Sequence, residues 1–583
     1  MKFFHVYNED CFKGLEKNGL LNADSGFKLQ HCFAVPKERL FNTCAAIGTP
    51  LYNLIKENRI PFYVDRIAGG IIYYPYKFDH ALIEEYRRIL GDDFLGFQLH
   101  ESATNRRWSE WPRMLLINGG KKSGFDAAVL RRELASTTRF TPDGEPLIGL
   151  SQDTPEYYAT RTYADTVPDF VDEIRDMFRR RLADTAGNVL PVDGYYLFTK
   201  LQDEMGMRAF MPEVGCQLSL MREAVALARG QASSSGKKWG TYYECWRADL
   251  DPETQRNSYC MPCFNLDPVN EWYLTQETHG DDFTTHGENG GSSRLLQERI
   301  YYHTLMSGAD YFGEEWGLNC SYSDMNDWTL SKYGEIKKQF INTAFGIHGV
   351  KARIPFAVVL PTDYTCVELP DPLKVQKPTD RRGKYMTIDL SAEDTEYYGH
   401  IEGVLTLLFN RTENTYGNES HVLTNGLFGD LFDIVYEDAP VEALAKYDYL
   451  IDATKEGKFI AAKKGSAHKI LASADIDALK AELDKLIPSV MPITVDGLHW
   501  LVSTDDKGRR FLTVFNNEGN MRTSEKGDVI NRAYDRKITI TLNTTKGTLE
   551  VFKAAREDIG LEKTDDNTYH ATISAADFVI FTF

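Results

Sequence analysis

Four segments in the first ~320 residues each run an apolar, strand-like stretch straight into a glutamate. They are Phe94-Leu-Gly-Phe-Gln-Leu-His-Glu101, Arg208-Ala-Phe-Met-Pro-Glu213, Lys238-Trp-Gly-Thr-Tyr-Tyr-Glu244 and Asp310-Tyr-Phe-Gly-Glu-Glu315. A carboxylate at the C-terminal end of a buried parallel strand is where a (β/α)8 barrel carries its chemistry. Two such carboxylates facing each other are the minimum equipment for breaking a glycosidic bond: one protonates the leaving oxygen, the other attacks or activates water. The acid must keep its proton near neutrality, which burial or a charged neighbour arranges. Glu101, Glu213, Glu244 and Glu315 are therefore the candidate catalytic groups. A single glutamate at a strand end is as readily a solvated residue or a helix cap; the repetition carries the reading. Glu314 adjoins Glu315, and consecutive strand residues point to opposite faces, so only one of the two should reach a shared mouth.

Sugar rings present apolar faces to flat aromatic side chains, and aromatic residues make up 12% of the chain. Most must be core. Trp108, Trp111, Trp246 and Trp316 lie beside the glutamates and are the more suggestive. Asn105, Arg106 and Trp108 follow Glu101 and could position a sugar, as could Tyr243 and Trp246 around Glu244 and Glu314 and Trp316 around Glu315. Asp65 ends another strand-like stretch and joins the candidate binding set, as does His303, whose ordinary alternative is a satisfied core histidine.

The elements that must position these residues alternate strand and helix over the first ~350 residues, the signature of a parallel α/β architecture. Strands are expected to start at residues 3, 27, 60, 94, 208, 238, within 258–275, and at 309. A strand hidden near residues 195–198 would instead make the Glu244 strand the seventh. A helix is expected over residues 37–59, bent at Gly48 and Pro50, and another capped by Asp193 and ending near Gly206. Residues 102–168 and 248–290 are long polar loops, which in a barrel are usually functional. From residue 351 the pattern becomes a small doubly wound sheet, and the last ~90 residues alternate as an antiparallel sandwich. The expected division is a (β/α)8 TIM barrel over 1–350, a flavodoxin- or amidotransferase-like α/β domain over 351–490 and a C-terminal β-sandwich over 491–583.

Composition narrows the partners. Lys plus Arg number 66 against 85 for Asp plus Glu, a net charge of −19 that would repel a phosphate backbone, so nucleic acid is excluded as a partner. No apolar run approaches the ~20 residues needed to span a bilayer, and residues 1–10 carry acids where a signal peptide needs an apolar stretch. Nine scattered cysteines fit reduced thiols, so a cytoplasmic location is expected. The acidic α/β domain offers a surface for homo-oligomerisation. Cys260-Met-Pro-Cys263 has zinc-like spacing without a second clear pair, and His279, Asp281, Asp282, His286 and Glu288 form a polar cluster read as a loop. No metal and no cofactor is expected. The absence of a Gly-x-Ser-x-Gly elbow or Walker loop argues against esterase and NTPase chemistry.

Three passages resemble known enzymes. Arg299-Ile-Tyr-Tyr-His-Thr-Leu-Met-Ser-Gly-Ala-Asp-Tyr-Phe312 is similar to the passage that closes clan A glycoside hydrolase barrels. Tyr447-Asp-Tyr-Leu-Ile-Asp452 and Phe511-Leu-Thr-Val-Phe-Asn-Asn517 are similar to strands of the α/β and β domains that follow the barrel in the family 42 β-galactosidases. The resemblance implies a barrel hydrolysing oligosaccharides, β-galactosides among them, with the acid/base after strand four and the nucleophile after strand seven. Counting strands makes Glu101 the strand-four residue. The Asn-Glu pair typical of the clan is replaced by His100-Glu101, which leaves the family 98 endo-galactosidases, of different stereochemical course, as an alternative. From other classes, a non-catalytic glycan-binding barrel and a metal-dependent hydrolase or isomerase remain as rivals.

Overall fold

Short strands buried on both faces need partners on both edges and a layer of helices outside, and eight of them supply this here. The computed structural model describes residues 1–7, 9–30, 40–69, 72–73, 76–101, 118–121, 123–129, 139–140, 146–147, 166–194, 196–214, 220–244, 293–315, 321–324, 326–364, 391–410, 422–455, 469–523, 527–543 and 547–583. The barrel strands are β1 (Lys2–Tyr7), β2 (Ser25–Gln30), β3 (Phe62–Gly69), β4 (Phe94–His100), β5 (Val189–Val192), β6 (the paired pieces Ala209–Phe210 and Glu213–Val214), β7 (Lys238–Glu244) and β8 (Tyr311–Glu315). All run parallel, each hydrogen-bonded to the next, and β8 returns to β1. Between β5 and β6 the ring is joined by Arg208 N–H to the Val189 carbonyl (3.0 Å) and Glu213 N–H to the Asp193 carbonyl (3.1 Å). Chain order and spatial order coincide, as right-handed crossovers through helices require.

Alternation along the strands sorts side chains into two layers. Phe4, Tyr63, Leu190, Met211, Tyr242 and Tyr311 fill the barrel interior. Their neighbours Phe3, Tyr243 and Phe312 pack outward against helices.

Three expectations needed correction. The strand missing from the count is Val189–Val192; the stretch 258–275, where a strand is expected, lies outside the described residues, and residues 196–198 form a 3-10 turn, not a strand. The Glu244 strand is consequently the seventh. Asp193 does not stand at the cap of the helix Thr199–Glu204, where Phe198 takes that position without a side-chain bond, and the Asp193 carbonyl helps close the barrel. The helix expected over 37–59 is divided into Phe41–Cys44 and Pro50–Asn58, because Thr49 caps the second piece, with Pro50 at its first position and Gly48 at a φ of 90° before it.

Beyond the barrel, four parallel strands order as Phe432–Tyr436, Phe356–Leu360, Tyr449–Asp452, Lys469–Ala472, with helices Ala392–Phe409 and Ile476–Val490. A five-stranded and a four-stranded antiparallel sheet follow, and Val514 and Phe581 of one share an apolar cluster with Ile540 and Ile573 of the other. Lys351–Ala352 forms the edge of that five-stranded sheet, pairing with His499–Thr504. Among the described residues no helix is long and apolar enough to cross a membrane.

Candidate active site

Two breaks in strand β4 aim its end into the barrel. Phe94 packs outward and Leu95 inward, so simple alternation would turn residues 96, 98 and 100 out. The register slips at Gly96, whose φ is 88°, and Phe97 packs outward, its ring 4.5 Å from Phe78. This is a β-bulge, and it reverses the parity of the residues that follow. Glycine is required there: a Cβ would meet the Asn188 carbonyl oxygen at 2.4 Å. His100 therefore points inward, edge-on to Tyr242 at 5.8 Å between ring centroids. Glu101 then has a φ of 46°, a left-handed conformation costing a non-glycine residue about 1–2 kcal/mol. That second break lets Glu101 face the same way as its neighbour. Strain of this kind collects at functional sites.

His100 Nε2 lies 3.2 Å from Glu315, 3.8 Å from Glu213 and 3.8 Å from Glu101. Carboxylates from β6, β8 and the end of β4 thus meet around one imidazole at the C-terminal end of the barrel. The side chains of Glu213 and Glu315 are almost wholly buried, and that of Glu101 is 22% exposed. Glu244 ends β7 with its Cα paired to that of Glu315. One ligand atom each from His100, Glu213 and Glu315 lie within 4.8 Å of one another, a spacing that a divalent ion could bridge.

Other candidates are placed elsewhere. Glu314 points away from the mouth, in contact with Tyr301 and Lys337 on the outer helices, as alternation with Glu315 demands. Tyr243 likewise packs outward, edge-on to Tyr301 at 6.4 Å; it is Tyr242 that enters the barrel. Neither Glu314 nor Tyr243 belongs in the binding set. Asp65 is inside the barrel but committed to Lys28, whose Nζ is 2.9 Å away in a fully buried pair. Lys28 also donates to the Glu314 carbonyl at 2.5 Å, tying β2 and β3 to the end of β8. Asn105, Arg106, Trp108, Trp111, Trp246 and Trp316 lie outside the described residues, as do the Cys260–Cys263 pair and the 279–288 cluster.

His303 is a correction too. It sits in helix Arg294–Met306, wholly buried, with Nε2 2.7 Å from the Asp430 carboxylate rather than at the mouth. His499 Nε2 meets the same oxygen at 2.8 Å, and Arg222 Nε donates to the other at 2.7 Å. The protonation of His499 follows from its far side. Arg299 donates to Asn517 Oδ1 (2.9 Å), so the Asn517 amide nitrogen faces His499 Nδ1 (2.9 Å), which must accept. His499 is thus neutral, with its proton on Nε2 directed at Asp430. Burial accounts for this, pushing the imidazole down to about 4 against the pull of Asp430. Burial opposes ionisation of Asp430 as well, yet His499, Arg222 and His303 hold its carboxyl well below the usual range. With a guanidinium already on Asp430, this second His–Asp–His set is an anchor and not a cation site.

The anchor gives a pH prediction. In the unfolded chain histidines take up protons near pH 6.5. In the folded chain His499 resists to about 4, and His5, buried on β1 with Lys337 nearby, to about 3. Each contributes stability that is complete above pH 6.5 and is lost as pH falls through that window. Urea denaturation from pH 7 to pH 4 should show a loss on the order of 3 kcal/mol per histidine. A flat profile would contradict both burials.

Sequence reasoning passed over His100 as a functional residue although it directly precedes Glu101, and passed over Lys28. A lysine inside an apolar strand such as Ser-Gly-Phe-Lys-Leu-Gln was the available signal for the latter.

No protein-family model matches the chain, and no curated protein sequence does. In structure it is similar to the catalytic module of a family 98 glycoside hydrolase from Streptococcus pneumoniae TIGR4, at 9% identity and a TM-score of 0.42, over 100% of this chain and 98% of that one. The same module in complex with the LewisY pentasaccharide blood group antigen gives 8% identity and a TM-score of 0.42, over 100% and 98%. An α-L-fucosidase isoenzyme 2 from Paenibacillus thiaminolyticus follows at 8% identity and a TM-score of 0.40, over 99% of this chain and 96% of that one.

Proposed function

We propose that the chain is a glycoside hydrolase cleaving O-glycosidic bonds of oligosaccharides, with Glu101 as the acid/base. The second carboxylate comes from the adjoining ends of β7 and β8, where Glu244 and Glu315 are register partners. One observation carries the reading: carboxylates from three separate strands converge within 3.8 Å of a single buried imidazole at the barrel's C-terminal end. Acetal hydrolysis needs two carboxyl groups of unlike role at one place, and burial with mutual repulsion is how their protonation is driven apart. Glu101, the most exposed of the three, is in the better position to reach a leaving-group oxygen.

The test is a panel of aryl glycosides and oligosaccharides, β-galactosides first, followed by release of phenolate or reducing sugar. Turnover by the purified chain on any member supports the reading, and inactivity across α- and β-linked hexosides, 6-deoxyhexosides and their oligomers would end it. The donor set of His100, Glu213 and Glu315 favours one second reading, a metal-dependent hydrolase. Turnover abolished by EDTA and restored by a divalent ion would select it.

A further inference from the structure

The barrel is least tightly laced where its last strand meets its first. The ladder between β8 and β1 consists of Lys2–Tyr311 and Phe3–Phe312. Past those pairs β1 stays with β2 as far as Tyr7, and β8 stays with β7 as far as Glu315. A seam therefore opens between β1 and β8 at the mouth, and buried backbone beside it needs partners from elsewhere. Lys28 provides one. From β2 its buried side chain reaches past β1, and Nζ donates to the Glu314 carbonyl at 2.5 Å and to Asp65 on β3 at 2.9 Å.

The surroundings are shaped for that reach. A Cβ on Gly313 would meet Tyr242 Cδ2 at 2.8 Å and the Tyr63 hydroxyl at 3.1 Å. The bare glycine lets the Tyr242 ring lie against β8, its hydroxyl 3.4 Å from Asp65 and 3.5 Å from Lys28 Nζ. On the outer side, the Glu314 carboxylate is held by Tyr301 and Lys337. Residue 314 is thus gripped from both sides of the strand, and the inner grip acts on the peptide that leads into Glu315. From that peptide Glu315 turns to His100 Nε2, 3.2 Å away.

We infer that Lys28 is the positioning residue for Glu315: its bond to the Glu314 carbonyl fixes the peptide plane from which Glu315 projects, and so sets where that carboxylate stands in the mouth. The use of Glu315 in turnover rests on the glycosidase reading; its placement by Lys28 does not.

Two measurements separate these layers. Lys28→Met keeps the length of the side chain and loses the donor. It also strands the buried Asp65 carboxylate, so Lys28→Met combined with Asp65→Asn, which removes both charges, serves should the single variant not fold. In a crystal structure of the folded variant, the Glu314–Glu315 peptide should turn and the Glu315 carboxylate should move away from His100 by about 1 Å or more, a misplacement large enough to slow a reaction about 100-fold. A Glu315 that stays in place overturns the inference, whether or not any sugar is cleaved. The second measurement uses the aryl glycoside turned over best. The same variant should lower kcat about 100-fold with KM changed less than about threefold, and Lys28→Arg, which keeps N–H donors at that place, should recover part of kcat. A loss confined to KM would overturn the inference as well. A displaced Glu315 with wild-type kcat would uphold the placement and take the catalytic role away from Glu315.

Discussion

Glu101→Gln is expected to lower kcat on an oligosaccharide by about 10²–10⁴-fold while leaving the fold intact. The loss should shrink as the leaving group improves. An alkoxide from a sugar cannot depart without a proton, whereas a nitrophenolate can, so 2,4-dinitrophenyl glycosides should retain most of their rate of bond cleavage. This gradient is diagnostic, because a residue that merely shapes the mouth would depress both substrates alike. Glutamine keeps the size and part of the hydrogen bonding of Glu101, and the residue sits at 22% exposure in a backbone conformation the change does not alter. Thermal stability should therefore stay near wild type. Equal losses on both leaving groups, or none, would remove Glu101 from the acid role. The companion variants Glu244→Gly and Glu315→Gly identify the second carboxylate: whichever acts as nucleophile should lose activity on every leaving group and regain it with azide, which can occupy the vacated space and attack the anomeric carbon.

How far the chain could be read without coordinates depended on signal length. Seven of the eight barrel strands begin within a few residues of their expected starts, because each is a run of apolar residues ending at a recognisable turn or carboxylate. The eighth, Val189–Val192, is four residues long and contains a proline, too little for alternation to register. The direction of side chains was readable only where a strand is regular. On β8 the rule of opposite faces correctly allowed just one of Glu314 and Glu315 into the mouth. On β4 the same rule would have turned His100 outward, and only the slip at Gly96 reverses it. A single glycine in a strand suggests a bulge but does not say which way the following residues turn. Tyr243 has a plainer explanation: it adjoins Glu244 in sequence, but alternation along β7 turns it outward against Tyr301. Asp430 lies 127 residues from His303, 69 from His499 and 208 from Arg222, a relation no local pattern encodes.

That long-range anchor supports the largest stability effect expected of this protein. Asp430 precedes strand Phe432–Tyr436 and holds together Arg222 on helix Met221–Ser235, His303 on helix Arg294–Met306 and His499 at the head of strand His499–Thr504. Asp430→Ala leaves the Arg222 guanidinium buried with only carbonyl partners, Phe428 at 2.9 Å, Phe409 at 3.3 Å and Thr424 at 3.5 Å, and deprives both imidazoles of their acceptor at Asp430. Removing one partner of a buried ion pair costs about 3–5 kcal/mol, a large share of the roughly 5–15 kcal/mol by which folded proteins are stable. A chain of this size need not unfold in one step, so the apparent midpoint in urea should be accompanied by hydrogen exchange. Exchange should accelerate together in the two helices and in both strands that Asp430 joins. The double variant Arg222→Met with Asp430→Leu separates charge from shape. If the cost comes from a stranded cation, replacing both groups by apolar ones of similar volume should recover much of the loss. If Asp430→Ala shifts the midpoint no more than an exposed control such as Asp484→Ala, the four elements are held by apolar packing and the anchor is dispensable.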